Sequence, residues 1–89
     1  MSERFFLYDE IEETKTRFVS FMGESQRFDL AITTTTRYYG KKLVMDMQSN
    51  RFAIIGEDDL DAPGYLERTF DIDEEDGKEM REFLYEVIL

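Results

Sequence analysis

The sequence contains no cysteine and no histidine. Without cysteine the chain can form neither a disulfide bond nor a thiolate metal site. Without histidine it has no imidazole to serve as a metal ligand, a general base or a pH switch. Nucleophilic catalysis by a serine or threonine would therefore lack its usual base. We accordingly expect a protein that is not an enzyme and that uses no cofactor and no metal.

Glycine-rich motifs and long apolar runs are also missing. The five glycines are scattered along the chain, so there is no phosphate-binding loop. No stretch approaches the roughly eighteen apolar residues of a membrane span, and no apolar run of signal-peptide length follows the first four residues. We therefore expect a cytoplasmic protein that does not bind a membrane.

The remaining composition is that of a folded domain. Hydrophobic residues make up 42% of the sequence and aromatic residues 15%, which is too high an aromatic content for a disordered chain. A chain of 89 residues is too short to assemble two cores. We expect one domain that comprises residues 1–89.

The net charge of −10 is unevenly distributed. Residues 1–13 hold one basic and five acidic residues (−4), residues 14–55 hold seven and three (+4), and residues 56–89 hold three and thirteen (−10). This division predicts an acidic N-terminal arm, a mildly basic sheet and an acidic helical region. Two interpretations stay open: the acids keep a small protein soluble, or they mask or regulate a basic binding face.

The basic central region has the residue pattern of an antiparallel sheet. Phe28, Leu30 and Ile32 alternate with more polar neighbours, as in a strand with one buried and one solvated face. The last predicted strand is almost entirely apolar, so we expect both of its faces to be covered. The sequence predicts a meander of four strands over residues 14–22, 27–35, 42–48 and 51–55.

The acidic C-terminal region predicts helices. Pro63 favours the start of a short helix over residues 63–68. Asp73 can cap a final helix. The resulting fold class is α+β, with the final helix packed across one face of the sheet. The apolar stripe of that helix has helical spacing and consists of Met80, Phe83, Leu84, Val87 and Ile88.

Four consecutive apolar residues, Phe5, Phe6, Leu7 and Tyr8, lie in the N-terminal arm. A terminal segment of this kind is usually held against a folded surface. We expect it to pack on the chain's own core, with a partner subunit as the alternative. A homodimer formed through this arm or through an open sheet edge is therefore among the expectations.

The predicted turn between the second and third strands combines aromatic and basic residues. We interpret the protein as a non-catalytic interaction or regulatory module that binds a protein partner through its sheet face or edge, with this turn as the principal contact. Two other interpretations of the turn stay open: a purely structural role, and weak nucleic-acid binding by the basic central segment. The candidate binding residues are Arg37, Tyr38, Tyr39, Lys41 and Lys42.

An acidic run follows the predicted sheet and raises the alternative of a small metal-dependent or carboxylate-dependent enzyme. The run lacks the alternating acids, the glycine and the terminal glutamate of a calcium-binding loop. We interpret it as solvated acids near the start of a helix. The run consists of Glu57, Asp58, Asp59 and Asp61.

Several segments resemble a family of small, acidic proteins of unknown function from Bacillus-like Gram-positive bacteria. The resemblance implies a cytoplasmic bacterial protein, and it implies no reaction and no functional residue. The segments that carry it are residues 15–21, 27–32, 51–60 and 63–66 together with the final helix.

Overall fold

The computed structural model describes residues 3–88, and its sheet contains the four antiparallel strands that the sequence predicts. The strands lie side by side in chain order, and each pairs with the next. The α+β class and the meander are therefore confirmed. A short 3₁₀ turn, Thr36–Tyr38, follows the second strand. The strands are β1 (Lys15–Met22), β2 (Arg27–Thr34), β3 (Lys42–Asp46) and β4 (Arg51–Ile55).

Three helices follow β4 in this part of the chain: α1 (Glu57–Asp61), α2 (Tyr65–Phe70) and α3 (Glu74–Ile88). The sequence analysis missed α1. The Asp59 carboxylate accepts the N–H of Gly56 at the start of α1 (2.9 Å), and acids in its first turn suit the positive end of a helix dipole. None of the helices within residues 3–88 is long and apolar enough to cross a bilayer.

Helix α3 begins after Asp73, as predicted. The Asp73 carboxylate accepts the backbone N–H of Asp76 (2.8 Å), which satisfies one of the free donors of the first turn. The side chain of Asp76 is buried and accepts the hydroxyl of Ser25 in the loop between β1 and β2 (2.6 Å). The start of the helix is thereby tied to the first hairpin.

The helices cover one face of the sheet, which confirms the predicted position of the final helix. Phe83 of α3 packs on Phe21 of β1, with ring centroids 4.9 Å apart. One buried cluster joins the two layers, and its members are Phe28, Leu30, Ile32, Val44, Ile55, Leu60, Leu66, Phe70, Met80 and Leu84.

Strand β4 is covered on one face only, so the expectation of two covered faces was wrong. Phe52 is 67% exposed and Ile54 is 37% exposed, whereas Ile55 is fully buried. The reason is that the buried apolar residues of the three helices belong to the same cluster, on one side of the sheet. None of the helices within residues 3–88 covers the other side of β4.

The N-terminal arm, described here for residues 3–13, does not pack on the core, and that prediction was wrong as well. Phe5 is 90% exposed and Leu7 is 89% exposed. The radius of gyration of 15.1 Å also exceeds the value of about 12 Å for a compact chain of this length. The helices already fill the covered face, so the arm projects from the body.

Gly77 in α3 lies against the side chain of Glu67 in α2. The Glu67 carboxylate accepts a hydrogen bond from the guanidinium of Arg81 (2.9 Å), and this pair is mostly screened from solvent. A Cβ on residue 77 would come within 2.7 Å of Glu67 Cγ. The absence of a side chain at Gly77 therefore allows α2 and α3 to approach each other.

We expect Gly77→Ala to lower the melting temperature, although alanine is the better helix former by about 1 kcal/mol. The added methyl group would displace Glu67 from Arg81, and overpacking of this kind typically costs about 1–3 kcal/mol. Thermal unfolding followed by circular dichroism measures the effect. In a Glu67→Ala background the obstacle is gone, so the same substitution should raise the melting temperature. A rise in both backgrounds would contradict this account of Gly77.

Candidate functional site

The sheet face opposite the core is apolar and largely uncovered, and we call it the open face. One row of side chains crosses all four strands. Phe18 of β1 pairs with Ala31 of β2, which also pairs with Met45 of β3. Met45 in turn pairs with Phe52 of β4. The open face consists of Phe18, Ala31, Leu43, Met45, Met47, Phe52 and Ile54.

Small and β-branched residues at the centre of the open face lie beneath and between its larger side chains. Ala31 is fully buried between the side chains of Phe18 and Met45, while Phe18 itself is 74% exposed. Beside this row, the hydroxyls of Thr16 and Thr33 form a hydrogen bond (2.8 Å). The large apolar side chains of the open face therefore project from the β-sheet, and their outer surfaces are in contact with water.

The charged groups at one end of the open face balance each other. Arg27 Nε lies 3.1 Å from the Asp29 carboxylate, and Gln48 donates a hydrogen bond to the same carboxylate (2.6 Å). Hydrogen bonds from Gln48 and Ser20, with the charge of Arg27, hold the pKa of Asp29 below its ordinary value. Asp29 is thus ionised at neutral pH and paired with a cation. The face has no excess of acids, although the chain carries a net charge of −10.

Two shallow depressions lie on the open face. The larger, of about 440 Å³, lies between Phe18 and Met47, and the smaller, of about 200 Å³, lies between Met47 and Phe52. Depressions with mainly apolar walls and a few polar groups bind apolar groups of a ligand.

The basic turn, residues 37–42, is held by acids of the same chain. Arg37 forms ion pairs with Glu10 (2.9 Å) and Glu12 (3.5 Å) of the arm, and its guanidinium carbon lies 5.1 Å from the ring centre of Tyr8. The hydrogen bond to Glu10 raises the pKa of Arg37. The arm therefore occupies the guanidinium that the sequence analysis assigned to a partner.

The two lysines of the basic turn also have partners within the chain. Lys41 Nζ lies 3.1 Å from the carboxylate of Asp59 and 3.5 Å from that of Asp58, and the hydrogen bond to Asp59 raises the pKa of Lys41. Lys42 Nζ donates to the hydroxyl of Thr34 (3.0 Å). Two acids of the run 57–61 are thus engaged by a lysine.

The tyrosines of the basic turn differ in exposure. Tyr38 is half-buried, while Tyr39 is 99% exposed and has a left-handed backbone conformation (φ 47°). A positive φ is unusual for a large side chain and indicates that the turn constrains the backbone. Of the five candidate residues, Tyr39 therefore presents the most surface, and a role for this turn in partner binding stays a prediction.

Three acids that the sequence analysis did not single out come together beside the first hairpin. Within residues 3–88 they are the one group of three acids whose oxygens lie within 4.8 Å of one another: Glu24, Glu75 and Glu79. Glu79 already accepts the backbone N–H of Glu24 (3.0 Å). A hydrogen bond with Glu24 and the negative charge of that residue raise the pKa of Glu75. The group is thus a crowded set of surface carboxylates, in which each residue brings one oxygen to within 4.8 Å of the others, whereas calcium usually takes six to eight oxygen ligands.

A protein-family model matches nearly all of the residues that form this fold. A family model described as SAV0927-like matches residues 7–86. The chain belongs to the SAV0927-like family. No curated protein matches the sequence. The expected membership in a family of small proteins is confirmed at this level, and the match includes the open face and the basic turn of this SAV0927-like protein.

The open face of the SAV0927-like protein was only partly visible in the sequence. Its signal in the sequence was the nearly continuous apolar run of β4. In a strand this run places Phe52 and Ile54 on one face and Ile55 on the other. The sequence analysis interpreted that run as a strand with both faces buried. The acidic group had a weaker signal, because Glu75 and Glu79 are four residues apart and share a helix face, but Glu24 is distant in sequence.

We expect Glu75→Gln to raise the melting temperature of the SAV0927-like protein at pH 7. A carboxyl group whose pKa is raised on folding binds protons more strongly in the folded state, so its contribution to stability falls as the pH rises through that pKa. Glutamine removes the charge that Glu24, Asp73 and Glu79 disfavour. The difference from wild type should shrink below about pH 4.5, where the wild-type carboxyl is protonated in both states.

Thermal unfolding between pH 3 and pH 8 measures this dependence. Glu82→Gln is the matched control, since Glu82 is an exposed acid on the same helix and lies outside the group of three. The account of Glu75 would be overturned by the same pH dependence in both variants.

Proposed function

We propose that this SAV0927-like protein is a non-catalytic interaction module that binds a protein partner through its open face. The observation that carries the proposal is the apolar row that contains the exposed rings of Phe18 and Phe52, on the side of the sheet that none of the helices within residues 3–88 covers. Contiguous exposed apolar patches commonly mark interaction surfaces in soluble proteins. A cytoplasmic location and an origin in a Bacillus-like Gram-positive bacterium belong to the same proposal.

The charge distribution supports a protein partner rather than a nucleic acid. Binding of a polyanion depends on lysines and arginines that are free to neutralise phosphates. In this chain Arg37 and Lys41 already contact acids of the arm and of α1. A partner on the apolar open face requires no rearrangement of these pairs.

The hydroxyl groups near the sheet likewise support a role in binding rather than catalysis. Ser25 donates its hydroxyl to Asp76, and Ser20 accepts a hydrogen bond from Arg27 (3.0 Å). The sequence offers no histidine or cysteine to activate either serine. These contacts hold the first hairpin in place.

We expect the double variant Phe18→Thr/Phe52→Thr to lose partners that the wild-type protein captures. Threonine keeps a β-branched side chain on the strand while removing most of the apolar area. Removal of a central aromatic contact from an interface typically costs about 2 kcal/mol or more, a loss of about 30-fold in affinity. Quantitative mass spectrometry of proteins retained from a Gram-positive bacterial lysate by each immobilised protein provides the measurement.

The variant Tyr38→Ser/Tyr39→Asn/Lys41→Ser separates the open face from the basic turn. Loss of partners in the open-face variant alone assigns binding to the open face, and loss in the turn variant alone assigns it to the turn. A set of retained proteins that neither variant changes would refute the interaction proposal. Circular dichroism confirms that both variants fold.

A further inference from the structure

Two apolar surfaces of this chain lack a covering element within residues 3–88. One is the open face. The other is the apolar segment of the arm, residues 5–8, in which Phe5 is 90%, Phe6 62%, Leu7 89% and Tyr8 66% exposed. Exposed aromatic residues at such density are unfavourable in water unless another surface covers them.

We infer that the partner of the open face is a second copy of the same chain, which lays residues 5–8 of its arm across that face and receives the first chain's arm on its own. This reciprocal arm exchange rests on the proposed function, because it names the occupant of the same face. The resulting dimer has two equivalent arm–face contacts related by a two-fold axis.

The exposed apolar area is large enough for a stable dimer interface only if both the open face and the arm segment contribute to it. At their exposed fractions, Phe18 and Phe52 together offer roughly 200–350 Å² of surface. A specific interface of ordinary size buries about 800 Å² per partner. The aromatic residues of the arm, Phe5, Phe6 and Tyr8, add roughly 330–550 Å². With Leu7, Met47 and Ile54 also exposed, face and arm together reach the area of a stable dimer, whereas the two aromatics of the face do not.

The charges permit two chains of net charge −10 to meet at this place. The open face carries Arg27 and Asp29 as a balanced pair. Residues 5–8 of the arm carry no charge, and the residue before them, Arg4, is basic. Glu3 and Asp9 flank the segment, and the next two acids of the arm, Glu10 and Glu12, contact Arg37 of their own chain. Like-charge repulsion is thus lower along this approach than at the acidic helices.

The base of the arm is held by contacts near the end of β2, while its apolar residues remain exposed. Glu12 accepts the hydroxyl of Thr35, and Glu10 and Tyr8 contact Arg37, just beyond the end of β2. These contacts anchor residues 8–12, while residues 4–7 project and Tyr8 keeps 66% of its surface exposed at the base of the projecting segment. An extended segment of five residues, 4–8, spans roughly 17 Å. The outer strands of a four-stranded sheet are about 14 Å apart, so the segment is long enough to cross the open face.

Two variants and a mixture test the inference. The arm variant is Phe5→Ser/Phe6→Ser/Leu7→Ser, and the face variant is Phe18→Thr/Phe52→Thr. All five side chains are more than 60% exposed in the single chain, so we expect both variants to fold and to melt close to the wild type. Light scattering behind a sizing column, at a series of protein concentrations, gives the mass of each species.

The wild type should be a dimer. The dissociation constant of each variant's dimer should be at least about 100-fold higher than that of the wild type, because each variant loses central aromatic contacts. The decisive sample is the mixture of the two variants. The arm variant keeps an intact face and the face variant keeps an intact arm, so one complete arm–face contact can form between them. We expect a heterodimer at a concentration at which each variant alone is monomeric.

Ile11→Ser is the matched control, since it removes a fully exposed apolar side chain outside the open face and outside residues 5–8 and should leave the dimer intact. A wild-type monomer at every concentration would overturn the inference, as would an arm variant that dimerises like the wild type. A mixture without heterodimer would exclude exchange and would leave pairing of two open faces or of two arms. The proposed function is judged separately: a monomer whose captured partners depend on Phe18 and Phe52 refutes the exchange and supports the module.

Discussion

The packing of three helices on one face of a four-stranded sheet is the arrangement on which the rest of this structure depends. Leu66, Phe70 and Met80 supply apolar groups to the cluster that buries Leu30 and Ile32. A sheet covered on one side presents its other side to water or to a partner. In most solvated sheets that side is polar, whereas here its central row carries two phenylalanines and a methionine. The functional hypothesis follows from this difference.

Electrostatics divides the surface in a complementary way. The acidic arm and the acidic start of α1 lie on either side of the basic turn and engage Arg37 and Lys41. The acids Glu24, Glu75 and Glu79 lie where the first hairpin meets α3, and none of the three belongs to the open face. The open face is therefore available for contact without the burial of unpaired carboxylates.

The parts of the fold that sequence analysis predicted are those governed by local periodicity. The alternation around Leu30 has the period of a strand with one buried face, and the stripe from Met80 to Leu84 has the period of a helix. The aspartate cap of α3 at Asp73 is also local. In contrast, the uncovered side of β4 was misjudged, because an apolar run specifies burial without specifying what buries it. The arm was misjudged for the same reason.

The sequence by itself determined the class of the fold, the order of its strands, the position of α3 and the absence of thiol and imidazole chemistry, because composition and short-range periodicity depend on neighbours in the chain. The tertiary structure alone decided that the three helices of residues 3–88 share one side and that Phe18 and Phe52 lie in one row across the sheet, with Ala31 and Met45 between them. It also decided that Arg37 and Lys41 pair with acids from distant segments. These features arise from contacts between residues far apart in sequence, which no local pattern encodes.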